Sequence, residues 1–142
     1  MPIIFVTLIG FFLRFFMLGE APSSFHRDEA FLGYNAYSIL QTGKDISGHT
    51  FPLHLESFFQ SPAGYSYFSI PFIAVFGLSE FSVRFASAIF GTLTIPAIYF
   101  FVARIFEKFK NKDEIALLSA FLISIMPWHI NLSRVATENI LV

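Results

Sequence analysis

The chain has 142 residues, of which 55% are hydrophobic and only 13% carry a formal charge, and its mean hydropathy is +0.65. A composition this apolar, with 21 phenylalanines, differs strongly from the average amino-acid composition of soluble proteins. The net charge of −1 does not indicate a nucleic-acid partner, and the lack of cysteine excludes disulfides and thiolate metal sites. The sequence therefore predicts an integral membrane protein.

The first predicted membrane span covers residues 3–18. It is shorter than the roughly 20 residues that a helix needs to cross the hydrocarbon core, and Arg14 interrupts it near its outer end. We interpret Arg14 as a snorkelling or structural residue rather than a ligand. The alternative is a cleavable signal peptide with Gly19-Glu20-Ala21 as its cleavage site, although a basic n-region is lacking.

An acidic pair, Asp28-Glu29, follows this span within the motif His26-Arg27-Asp28-Glu29. Acidic side chains are costly to keep where a span leaves the bilayer unless they have a partner or a task. We therefore regard this pair as the first candidate for chemistry.

An amphipathic helix is predicted over residues 30–41. Leu32, Ala36, Ile39 and Leu40 fall on one helical face, which is typical of a segment lying on the membrane surface. Gly43 is a suitable C-terminal stop for this helix.

The remaining apolar runs set the topology. Residues 85–103 and 115–133 carry no formal charge and are predicted spans, whereas residues 63–77, which contain Pro71, are predicted to form a re-entrant or interfacial segment. This arrangement leaves residues 19–84 as a large outer loop.

The distribution of basic residues supports this orientation. It keeps the densest basic cluster in the cytoplasm, where short basic loops usually lie. That cluster consists of Arg104, Lys108, Lys110 and Lys112.

The predicted fold class is thus an all-α polytopic membrane protein. A fourth span is expected to begin near Val135, and because the sequence ends at Val142 we expect a C-terminal remainder to be missing.

Several short motifs occur in a fixed order along the chain. They are Asp28-Glu29-Ala30, Gly33-Tyr34-Asn35-Ala36-Tyr37, Gly43-Lys44-Asp45, Phe76-Gly77-Leu78-Ser79-Glu80-Phe81-Ser82-Val83-Arg84, Pro127-Trp128-His129 and Ser133-Arg134. In this order the chain resembles the N-terminal part of the dolichyl-phosphate-mannose protein mannosyltransferase-like superfamily, which includes aminoarabinose lipid A transferases. The resemblance implies a GT-C-type transmembrane module. Such enzymes move a sugar from a polyprenyl phosphate carrier to an acceptor outside the cytoplasm.

The resemblance implies that Asp28 is the general base that takes a proton from the acceptor hydroxyl in an inverting transfer. Glu29 would raise the pKa of the neighbouring Asp28 by like-charge repulsion, or it would orient the site. Arg84 and Arg134 are the candidate binders of the lipid phosphate, because a guanidinium fork suits phosphate. Glu138 and Tyr34 are candidate supporting residues.

Simpler interpretations remain open for each of these residues. Asp28 is also a suitable helix cap, and Glu29 a favourable charge in the first helical turn. Arg84 is also suited to anchor its span at the interface, and Arg134 to pair with Glu138 four residues later.

The expected partners are a polyprenyl-phosphate-linked sugar, a protein, lipid or glycan acceptor and the bilayer, in a multi-pass plasma-membrane protein with an extracytoplasmic site. No cofactor is expected. A divalent ion at His26, Asp28 and Glu29, with His49 and His54 in the same loop, is an alternative without diagnostic spacing.

One position departs from the family pattern. The aminoarabinose branch has a Lys-Pro-Pro-type corner whose lysine contacts the lipid phosphate, and here the corner begins with Gln60. Phosphate binding must therefore rest on arginines or on residues outside the sequence. Two other classes, a transporter or channel and a non-catalytic membrane interaction subunit, remain alternatives.

Overall fold

The computed structural model describes residues 2–56 and 61–137, and this part of the chain is mostly α-helical, which confirms the predicted helical character. Gln60 and Glu138 lie outside the described residues. The helices are α1 Pro2–Phe15, α2 Arg27–Thr42, α3 Gly64–Phe76, α4 Glu80–Ile105, α5 Lys112–Ile125 and α6 Pro127–Ser133. Two short antiparallel strands, β1 His54–Leu55 and β2 Ser61–Pro62, pair in the connection between α2 and α3.

Helix α4 is the longest and forms the centre of the fold. It begins with a capping box, in which Ser79 Oγ accepts from the Ser82 amide and Ser82 Oγ accepts from the Ser79 amide. Its 26 residues make it about 39 Å long, more than the hydrocarbon core requires. Helices α1, α3, α5 and α6 all pack against it.

By length and composition, α4 is the one helix of the described residues that is able to cross a membrane by itself. Helices α5 and α6 meet the same criteria when they are taken together as one bent span, whereas α1 and α3 are shorter apolar helices. With 14 residues, α1 is about 21 Å long. The three predicted spans therefore stay predictions, although each coincides with apolar helix.

The predicted span at residues 115–133 is not one continuous helix. It divides into α5 and α6, which meet at an angle of 61°. Proline lacks an amide hydrogen and disfavours helical backbone in the preceding residue, and Met126 is accordingly extended, with φ −64° and ψ 116°. Pro127 then begins α6, at a position where proline is well tolerated.

Helix α2 begins three residues before its predicted start because His26 and Glu29 form a capping box. It ends at Gly43, whose φ of 71° is the left-handed conformation that glycine adopts without strain, so the predicted stop is confirmed. Its apolar face does not lie on the membrane as predicted. Leu32 and Ala36 are buried in a core shared with Ile73 of α3 and Val83 of α4, because the short helix α3 covers this face.

Apolar side chains also cover much of the outer surface of the helices. Large exposed side chains include Ile4, Phe5, Leu8, Phe12, Leu93, Phe100, Phe101, Leu118, Phe121 and Leu122. Apolar surface of this extent on α1, α4 and α5 is suited to contact with lipid.

Candidate functional site

The candidate site is built on the first turn of α2. Asp28 and Glu29 are consecutive there, and because helical neighbours are rotated by about 100°, their side chains leave the helix in different directions. Glu29 is 1% exposed, whereas the side chain of Asp28 is 69% exposed. The structure thus separates two carboxylates that the sequence places side by side.

Glu29 forms a buried bidentate ion pair with Arg84 of α4. Arg84 Nε donates to Glu29 Oε1 at 2.9 Å, and Arg84 Nη2 donates to Oε2 at 3.0 Å. The amides of Ala136 and His26 donate to the same two oxygens, at 2.9 and 3.0 Å. Burial by itself raises the pKa of Glu29, but the bonds from Arg84, Ala136 and His26 outweigh it and hold the pKa below its ordinary value.

The other donors of Arg84 are also satisfied by protein atoms. Nη1 donates to the carbonyls of Leu18 and Pro22, at 3.3 and 3.1 Å, and Nη2 donates to the carbonyl of Ser24 at 3.2 Å. The guanidinium is fully buried, so Arg84 is not an exposed interfacial anchor. Its predicted role in binding phosphate requires these bonds to be exchanged, and that role stays a prediction.

Arg134 contacts the C-terminal end of α1. It donates to the carbonyls of Leu13, Met17 and Ala21, at 2.9, 3.3 and 2.9 Å. A helix C-terminus carries partial negative charge, which explains why a guanidinium is stable there. The predicted pairing with Glu138 lies outside the described residues, as does the supporting role predicted for Glu138.

Asp28 is not the cap of α2, because His26 occupies the N-cap position. His26 Nδ1 lies 3.4 Å from both the Asp28 amide nitrogen and Asp28 Oδ2. A ring nitrogen that accepts from the amide cannot at the same time donate to the carboxylate. The carboxylate is therefore open to solvent, and among the described residues neither Arg84 nor Arg134 is bonded to it.

Tyr34 lies farther along α2 and does not share the first turn with Asp28. It lines a cavity of about 190 Å³ between α2 and the start of α4, together with Phe25, Gly33, Ser79 and Val83. The supporting role of Tyr34 stays a prediction.

The alternative of a divalent ion finds no prepared ligand set in residues 2–56 and 61–137, where no group of three or more His, Asp or Glu side chains is placed to hold a metal. Both oxygens of Glu29 are bonded to protein donors. Asp45 is buried in a turn, where it accepts from the amides of Ser47 and His49.

Sequence reasoning missed two parts of this arrangement. The Ala136 amide has no sequence signal, because backbone groups carry none. Of the two interpretations of Arg14, the structural one agrees with the structure and the snorkelling one does not, but the partners of Arg14 were not predicted. Arg14 is fully buried and donates to the carbonyls of Ile123 and Ser124 at the break between α5 and α6. Pro127, four residues after Ile123, signals the break between α5 and α6, but it does not specify that Arg14 contacts the carbonyls there.

The dolichyl-phosphate-mannose-protein mannosyltransferase family matches residues 60–142, more than half of the chain, and this range contains Arg84, Arg134 and Glu138. Asp28, Glu29 and Tyr34 precede the matched range. Comparisons with curated proteins and with solved structures gave no match. The resemblance expected from the sequence motifs is confirmed at the level of a membrane glycosyltransferase family, and the chain belongs to the dolichyl-phosphate-mannose-protein mannosyltransferase family.

Proposed function

We propose that this protein transfers a sugar, a hexose or a mannose-like one, from a polyprenyl-phosphate carrier to an acceptor hydroxyl, with inversion and with Asp28 as the general base. The acceptor is a protein, a lipid or a glycan. The observation that carries the assignment is the division between the two carboxylates. Glu29 is engaged by four protein donors, whereas Asp28, one residue away, is open to an incoming ligand.

The proposed step balances without a cofactor. The acceptor hydroxyl loses its proton to the Asp28 carboxylate while its oxygen forms a bond to the anomeric carbon. The bond between that carbon and the phosphate oxygen breaks, and the polyprenyl phosphate leaves with the electron pair. General-base assistance of this kind contributes about 10² to 10⁴ in rate.

The leaving phosphate needs cationic stabilisation, for which Arg84 and Arg134 are the proposed groups. Arg84 is bonded to the carboxylate next to Asp28, and Arg134 lies two residues before the amide that contacts Glu29. A ligand phosphate would accept hydrogen bonds from some N–H groups of Arg84 and Arg134 in place of the backbone carbonyls. In such an exchange one acceptor replaces another, so that no buried donor is left unpaired.

We also propose that the site faces the extracytoplasmic side of a plasma membrane that the chain crosses several times. The residues of the connection between α4 and α5 include Lys108 and Lys110, which are exposed. Short basic loops remain in the cytoplasm, and α4 leads from this loop to Arg84 at its opposite end.

The exposure of Asp28 also favours a second candidate, a non-catalytic membrane interaction subunit in which this carboxylate meets a partner protein. The two candidates differ in what they predict for the loss of one charge at position 28. Only the glycosyltransferase requires a group that accepts a proton there.

The deciding experiment compares Asp28→Asn with Asp113→Asn in membranes that contain the full-length protein and a radiolabelled polyprenyl-phosphate sugar. Asp113 is a matched control, because it is an exposed aspartate in the first turn of α5. We expect Asp28→Asn to lower transfer by about 10²-fold or more, with unchanged carrier binding, and Asp113→Asn to retain it. Equal transfer in both variants and wild type would exclude Asp28 as the base and leave the base to another residue. No transfer from wild type with any carrier would favour the interaction subunit.

A further inference from the structure

Arg14 belongs to α1, yet its guanidinium lies in the break between α5 and α6. Nη1 donates to the carbonyl of Ser124 at 3.1 Å and Nη2 donates to the carbonyl of Ile123 at 3.2 Å. Nη1 also donates to the carbonyl of Gly10, one turn earlier in its own helix, at 2.9 Å. No exposed surface remains on this arginine.

The two carbonyls that Arg14 contacts are those that the break deprives of helical partners. In a continuous helix they would accept from the amides of residues 127 and 128. Pro127 has no amide hydrogen to donate to Ile123. The 61° bend between the helices interrupts the helical hydrogen bond from residue 128 to Ser124. An unpaired carbonyl inside a membrane is strongly unfavourable, because no water is available there to donate to it. One guanidinium fork satisfies both carbonyls.

The surrounding helices leave space for this contact. A Cβ atom on Gly91 of α4 would lie 3.3 Å from Arg14 Nε and would collide with the Ser133 side chain of α6. A Cβ atom on Gly10 would lie 3.1 Å from Arg14 Nη1 and would collide with Ile95. Glycines on two different helices therefore open the volume that Arg14 and Ser133 occupy.

Arg14 also determines which ring nitrogen of His129 in α6 carries the proton. Its Nη2 lies 2.8 Å from His129 Nδ1. A guanidinium has no acceptor, so Nδ1 must accept, and the proton of the neutral ring is on Nε2. The Ser133 hydroxyl, 3.2 Å from the same nitrogen, donates to the His129 carbonyl.

Helix α6 continues directly into the segment that supports the candidate site. Arg134 binds the end of α1, and the Ala136 amide donates to Glu29 beside Asp28. The direction in which α6 leaves the break decides whether this amide reaches the carboxylate.

We propose that Arg14 is a positioning residue that holds the break between α5 and α6 and, through His129 and the segment after α6, keeps Glu29 and Asp28 in place. The last link rests on the function proposed above. The contact at the break stands independently of it.

The first test measures the tautomer of His129 by ¹⁵N NMR of the full chain in lipid, in wild type, Arg14→Met and Arg14→Lys. We expect a single Nε2–H tautomer in wild type and a mixture in Arg14→Met. Lysine keeps the charge but lacks the forked guanidinium. We therefore expect the Nε2–H tautomer of His129 to be more populated in Arg14→Lys than in Arg14→Met, but less than in wild type. An unchanged wild-type tautomer in Arg14→Met would overturn the proposal.

The second test is a double-mutant cycle with Pro127→Ala, which restores an amide hydrogen able to satisfy Ile123. If Arg14 replaces that missing hydrogen bond, Arg14→Met lowers the unfolding midpoint less in the Pro127→Ala background than in the wild-type background. Where Arg14→Met alone does not accumulate in membranes, recovery of accumulation by Pro127→Ala supports the proposal. Equal losses in both backgrounds, or no recovery, would contradict it.

Transfer activity separates this inference from the proposed function. A changed tautomer in Arg14→Met with a loss of transfer supports the whole chain of contacts. A changed tautomer together with full activity in Asp28→Asn leaves the contact at the break intact and removes only Asp28 as the general base. A changed tautomer with no transfer from wild type leaves the contact intact and removes the proposed function.

Discussion

Glu29 and Arg84 are 55 residues apart in the sequence and form a two-point ion pair at 2.9 and 3.0 Å, with both side chains buried. The pair connects α2 to α4, and through the Ala136 amide it also binds the segment that follows α6. Desolvation of two charges is costly, so such a pair is retained only where its geometry and the surrounding hydrogen bonds are complete. Here all four bonds to the Glu29 carboxylate are present.

Loss of the Glu29 charge is expected to destabilise the fold strongly. In Glu29→Gln the amide group would place its own donors against Arg84 or the His26 amide, and Arg84 would stay buried without a counter-charge. Breaking one partner of such a pair costs about 3 to 5 kcal/mol. Unfolding in detergent would measure the difference. Glu20→Gln, which alters an exposed carboxylate, is the control and should change stability by less than about 0.5 kcal/mol.

The pH dependence of stability follows from the same carboxylate. Because the pKa of Glu29 is lower in the folded protein than its ordinary value, the ionised form favours folding. This contribution is complete above the ordinary glutamate pKa of about 4.3, and it is lost as the pH falls from there through the lowered folded value. Unfolding midpoints measured from pH 7 down to acid should therefore decline in this window.

Glu29→Gln removes this component, so its stability should decline less over the same acid range than that of wild type. Glu20→Gln should reproduce the wild-type decline. Parallel curves for wild type and Glu29→Gln would show that Glu29 does not carry the acid sensitivity.

Gly91 and Gly64 provide a matched pair of glycine-to-alanine substitutions. A Cβ atom on Gly91 would collide with Ser133, whereas a Cβ atom on Gly64 meets no atom within 4 Å of the described structure. We expect Gly91→Ala to cost about 1 to 3 kcal/mol through overpacking. Gly64→Ala should be neutral or stabilise by up to about 1 kcal/mol. Equal thermal stability of the two variants would contradict the close packing of α4 against α6.

The proposed sidedness can be tested directly by thiol labelling. The sequence contains no cysteine, so the introduced cysteine is the only thiol in each single-cysteine variant. Ser47→Cys places a thiol in the exposed turn of the outer loop, and Lys110→Cys places one in the exposed connection between α4 and α5. In intact cells a membrane-impermeant maleimide should label position 47 and leave position 110 unlabelled. Position 110 should react once the membrane is permeabilised. The reverse pattern would place the candidate site in the cytoplasm.

The sequence by itself determined where the helices lie and to which family the chain belongs. Apolar runs indicated where helices lie, although the break between α5 and α6 was not predicted, and Gly43 marked the end of α2. These features depend on local backbone preferences and on burial. The ordered motifs carried the family resemblance. Polarity also made Asp28 and Glu29 the first candidates for chemistry, and that assignment stays a prediction.

Only the tertiary structure decided which charges meet. Asp28 and Glu29 are both first-turn carboxylates, and the packing of α2 against α3 and α4 turned Glu29 towards Arg84 and left Asp28 exposed. Arg14 and Arg134 each bind carbonyls at the end of another helix, across separations of 110 and 121 residues. Such contacts are fixed by the relative placement of distant helices, and local sequence preferences do not specify that placement.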